Sequence, residues 1–94
     1  MNTKYYKLVF VRWLDSCSPA TIWSAKEGIA DYTVSTVESV GWLLNENKAR
    51  ILIAQSISES EFGRLLAIPT QAILLLHTII IPKAIKPLIA QEAT

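Results

Sequence analysis

The side chains of this 94-residue chain with the most chemistry to offer are its flat aromatic rings and its guanidinium groups. Trp13, Trp23 and Trp42 carry π faces on which a base or another planar ring can stack, while Arg12, Arg50 and Arg64 carry forks that meet phosphate or carboxylate. Arg12 and Trp13 stand beside Asp15 at the end of the first apolar run, next to the connection that holds Trp23. Brought together, these four would line a pocket for a planar, anionic ligand such as a nucleotide. The opposing reading places Trp13 and Trp23 in the core, with Arg12 paired to Asp15 or Glu27.

Catalytic constellations are harder to assemble. One histidine, His77, and one cysteine, Cys17, cannot build a four-ligand zinc site. With three glycines, none in a phosphate-cradling pattern, there is no P-loop or dinucleotide fingerprint. His77 sits in a very apolar run, where a packed ring is expected rather than the base of a triad. Asp15, Glu27, Asp31, Glu38, Glu46, Glu59, Glu61 and Glu92 fall mostly in turns or on polar strand positions, and read as a solvated face. The expectation is a binding protein that does no catalysis and needs no metal or cofactor. A lone Cys17 forms no intramolecular disulfide, which fits a reducing, cytoplasmic setting.

Composition adds a second constraint. Apolar residues make up 51% of the chain and charged residues only 18%, with a net charge of +1. So short a chain cannot enclose that much apolar surface by itself, so self-association into a homo-oligomer is expected. The small net charge excludes a global basic field for non-specific DNA binding; any nucleic-acid contact must come from a local patch. The N-terminal segment lacks the apolar run of a signal peptide. The most apolar run, from Ala72 to Ile81, is half the length of a membrane-spanning helix and ends at Pro82, so a buried strand is expected and no membrane partner.

The elements that must position these groups read as strands of one domain, residues 1–94. Two apolar, β-branched runs flank the polar cluster Asn45 to Lys48, the signature of a hairpin. Gly41, inside the first of them, marks a bulge or bend where another backbone comes close. Five strands are predicted: Lys4–Asp15, Tyr32–Asn45, Ala49–Ile57, Arg64–Ile68 and Ile73–Ile81. Gln55 interrupts the apolar face of the third, which puts it at a rim or against a polar partner. Ser24 and Glu27 have capping-box spacing, so a short helical turn is expected after strand one, weakened by Gly28. Pro69 ends strand four, and Ile68 to Ile73 forms a tight turn into a last strand suited to a subunit seam. Prolines 82 and 87 break the tail, whose Ile85, Leu88 and Ile89 supply an apolar side for docking. The fold class is all-β, a small five-stranded barrel of SH3-like or Sm-like type.

The segments Trp13–Ser18, Trp23, Ser39–Asn47, Ile51–Ile57 and Ala67–Ile73 follow a W-x-D, V-G-x-L, I-P-x-x-x-I progression. In that order they resemble a group of small bacteriophage proteins with Sm-like or SH3-like barrels, over roughly Leu8 to Leu76. The glycine-bearing second motif of true Sm proteins is not part of the resemblance. The resemblance implies rings or other homo-oligomers, with single-stranded RNA or a nucleotide held between subunits by stacking aromatics and polar loop residues. Some small phage oligomers sequester host nucleotide immune signals in such pockets. An adaptor that only self-assembles or meets a protein partner is the alternative.

Overall fold

The computed structural model describes residues 4–16, 26–27, 33–85 and 89–90. Five antiparallel strands form one sheet: β2 (Lys7–Asp15), β3 (Ser35–Glu46), β4 (Arg50–Ile57), β5 (Phe62–Pro69) and β6 (Ile73–Ile79), ordered β5-β4-β3-β2-β6. Two short segments, β1 (Lys4–Tyr5) and β7 (Ile89–Ala90), make a separate antiparallel pair that ties the tail to the chain's start. The all-β class and five-strand sheet are as the sequence predicts, with shifted ends. Strand one breaks at Tyr6, strand four begins at Phe62 rather than Arg64, and the last strand stops at Ile79. Of the helical turn expected after strand one, only Lys26 and Glu27 are described, in a 3-10 turn; Ser24 lies outside the described residues.

The longest strand, β3, serves both halves of the sheet. Its Ser35–Leu43 portion pairs with β2, while Trp42 to Glu46 pairs with β4, so only Trp42 and Leu43 face both partners. Gly41 makes the handover possible. A Cβ there would sit 2.9 Å from the Ala54 carbonyl oxygen and 3.2 Å from Ile53 Cδ1, a space only glycine leaves open. The register then shifts between Leu43 and Asn45, a bulge that increases local twist. Asn47 closes the hairpin, its Oδ1 accepting from the backbone N–H groups of Ala49 (2.8 Å) and Arg50 (3.0 Å).

Alternation on β2 sends Val9, Val11 and Trp13 inward, where they form one core with Ile51 and Ile53 of β4 and Ile68 of β5. Val11 and Ile68 are fully buried. Each such side chain contributes roughly 1.5–3 kcal/mol relative to exposure. In the sheet order β5 and β2 are separated by β4 and β3, so a core shared between them requires the sheet to curl over on itself. Gln55 is exposed, at a rim position between the buried Ala54 and the turn.

Pro69 is the last residue of β5, and Thr70 takes over its missing donor by bonding the Ala49 carbonyl at 2.9 Å. The 3-10 turn Thr70–Ala72 follows and leads into β6.

Candidate functional site

Residues facing each other across antiparallel strands point to the same side, so the register assigns the predicted site residues on β2 and β3 to a face. Val9, Val11 and Trp13 point inward; Leu8, Phe10 and Arg12 therefore point outward. Arg12 and Trp13, adjacent in sequence, are thus on opposite sides of the sheet. Trp13 is buried, and its indole Nε1–H donates to Ser39 Oγ at 3.1 Å, so its ring serves the core. Arg12 is exposed and pairs with Glu38 directly across on β3, rather than with Asp15 or Glu27. Its Nη2 and Nε donate to Glu38 Oε2 at 2.8 and 3.0 Å, and its guanidinium lies 5.8 Å from the Phe10 ring centroid.

Trp42 shares the outer face with Arg12, two rungs away. The same rung runs from β5 to β6 as Leu65, Ala54, Trp42, Leu8 and Ile79, an apolar row spanning the whole width of the sheet. One rung on, His77, Phe10 and Val40 are aligned. His77 was expected as a packed ring, and the structure corrects this: it is exposed, because among the described residues β6 is an edge strand with one neighbour.

The arginines of the other strands are placed separately. Arg50 opens β4 beyond the hairpin, half-buried, with Nη1 donating to Asn45 Oδ1 at 2.9 Å. Arg64 is exposed on β5 and holds a left-handed backbone, φ 54°. Asp15 ends β2 opposite Ser35, half-buried. Trp23 and Cys17 lie outside the described residues; of the other three members of the predicted pocket, Trp13 and Asp15 share one side of β2 and Arg12 lies on the other, so the three do not converge.

A concave feature lies elsewhere. A cleft of about 300 Å³ is lined by Tyr5, Tyr6, Lys7, Leu43, Leu44, Asn45 and Glu46. The chain entering β2 supplies two phenols and an ammonium; the bulged end of β3 supplies apolar floor, an amide and a carboxylate. Tyr5 is 57% exposed, leaving much of its ring open to a ligand. Lys7 makes no ion pair among the described residues, and Asn45 orients the Arg50 guanidinium from the cleft's own wall. Such a site can stack a planar ring, accept and donate hydrogen bonds, and offer the Lys7 ammonium in the same cleft as the Glu46 carboxylate. The sequence carried a trace of it, two adjacent aromatics before a lysine, but within a strand pattern these read only as strand.

Among the described residues no group of three or more His, Cys, Asp or Glu could hold a metal ion, and no helix is long and apolar enough to cross a membrane. Compared with known protein families, with curated proteins and with solved structures, the chain matches none.

Proposed function

We propose that this is a non-catalytic, self-associating binding protein of the phage type, whose ligand is a nucleotide or a short single-stranded RNA. The observation that carries the reading is the Tyr5, Tyr6 and Lys7 cleft, where stacking surface lies together with an ammonium that has no ion pair among the described residues. Base stacking on an aromatic ring contributes about 1–3 kcal/mol per base, and a lysine meets phosphate as a point charge. Support for an SH3-like or Sm-like barrel comes from three features: the strand order β5-β4-β3-β2-β6, the bent β3 shared between halves, and the 3-10 turn before the last strand. Self-association is supported by the apolar residues left exposed on β5 and β6, among them Leu65, Leu74, Leu75 and Leu76. Placed near a subunit boundary, the cleft would sequester a small nucleotide such as a host immune signal.

Titration of the full chain with mononucleotides, cyclic dinucleotides and oligo(U), followed by intrinsic tyrosine fluorescence and equilibrium dialysis, tests the reading, since Tyr5 and Tyr6 line the cleft. A saturable change with at least one of them is the expected result. Silence with all three removes the proposal.

The same exposed leucines favour a second reading, a structural adaptor that uses its apolar strands only to assemble or to meet a protein. Copurification of a defined protein with no nucleotide absorbance selects it.

A further inference from the structure

The two edges of the sheet are not alike, and the difference indicates how copies meet. The β5 edge carries devices that discourage pairing: a charged Arg64, a left-handed kink at that residue, and a terminal proline. The β6 edge carries no charge, no left-handed residue and no proline, and its one irregularity, a register slip against β2 at Leu74, lies near its start. Its seven residues, Ile73 to Ile79, include no Lys, Arg, Asp, Glu or Pro, and among the described residues no strand pairs with its outer side. A long, apolar and uncharged edge is a template for another strand.

The core also stops short here. Val11 is 0% exposed, yet Leu76, directly opposite it on β6 and pointing to the same side, is 39% exposed. The interior layer therefore runs up to this edge and is cut off, as it would be if another strand continued it.

We infer that two copies join antiparallel through their β6 edges across a two-fold axis near Leu76, making one continuous sheet. The strand is self-complementary about that point. Leu76 meets itself and Leu75 meets His77, the regular pairs on either side of the axis, while the register slip at Leu74 ends the regular pairing short of Ile73; no like formal charges are brought together. A second copy thus satisfies the edge's backbone groups and covers Leu76 with a surface of its own kind, the self-complementary contact usual in dimers. The inference rests on the self-association reading above and adds to it which edge is used and with what symmetry.

The test compares the full wild-type chain with Leu75→Glu on the β6 edge and Leu65→Lys on the β5 edge, by native mass spectrometry and light scattering. Both positions are exposed and outward-facing, and circular dichroism checks that each variant folds; Thr78→Lys replaces Leu75→Glu if that one does not. The expected result is a dimer for wild type and Leu65→Lys, and a monomer for Leu75→Glu. Monomers from both variants, or a wild-type assembly larger than two, would mean that β5 joins β6, overturning the two-fold seam but leaving self-association. Dimers throughout put the seam elsewhere and also overturn it. A wild-type monomer overturns this inference together with the self-association on which it rests.

Discussion

The ring of Tyr6 meets the ring of Phe62 edge-on, with centroids 5.5 Å apart and planes at 85°. Tyr6 leads into β2 and Phe62 opens β5, strands that are three places apart in the sheet. The contact is therefore a clasp across the curled sheet, made at the end where the Tyr5 and Lys7 cleft opens. Edge-to-face pairs contribute about 0.5–1.5 kcal/mol beyond their area. A double-mutant cycle with Tyr6→Leu and Phe62→Leu, read by urea unfolding, is expected to give a coupling of about 1 kcal/mol. Additive single effects would show that the two halves are held by the core alone.

Gly41 gives the sharpest test of how β3 bends. Gly41→Ala places a methyl group 2.9 Å from the Ala54 carbonyl oxygen, a backbone atom that cannot move without shifting β4. Overpacking of this kind costs about 1–3 kcal/mol. The expected outcome is a lower urea midpoint with an unchanged slope, the signature of lost stability rather than an altered unfolded state. Gly63→Ala serves as the contrast, because its Cβ would find Ser56 Cβ at an ordinary 3.4 Å, and it should cost far less.

These two glycines also mark how far local sequence reaches. The bend at Gly41, the hairpin around Asn47 and the end of β5 at Pro69 are legible because each depends on the conformational rules of one residue and its neighbours. The partner of Arg12 is not. Glu38 lies 26 positions away, and which residue faces Arg12 is fixed by the β2–β3 register, which a long connection between the strands leaves open. The cleft is hidden for the same reason, since Tyr5 to Lys7 and Leu43 to Glu46 meet only after the sheet forms. His77 misleads differently. Apolar neighbours suggest burial, but exposure depends on whether a strand is central or at an edge, and β6 is at an edge.

Trp13 and Ser39 form a polar contact at the margin of the core. Ser39→Ala removes the acceptor and leaves the indole N–H of a buried ring without its bond. An unsatisfied donor of this kind costs about 1–3 kcal/mol. Trp13→Phe removes the donor as well as part of the ring, and the double variant should be less destabilised than the two single losses added together. Thermal melts of the four proteins read this directly. Strict additivity would mean that water replaces the serine.

The arrangement of cations predicts which one a bound nucleotide would feel. Arg12 is engaged by Glu38 in a pair whose side chains are 45% and 52% exposed, so its charge is already balanced and its stability contribution is small, within about 1 kcal/mol and weakened by salt. Lys7 lines the cleft and has no such partner among the described residues. Lys7→Ala should therefore weaken nucleotide binding about tenfold, the equivalent of 1.4 kcal/mol, and flatten its salt dependence. Arg12→Ala should leave both nearly unchanged. Fluorescence titrations at low and high salt separate the two positions. If Arg12→Ala were the variant that lost binding, the ligand would belong on the outer face with Phe10, Trp42 and His77, and the cleft would be ruled out as its seat.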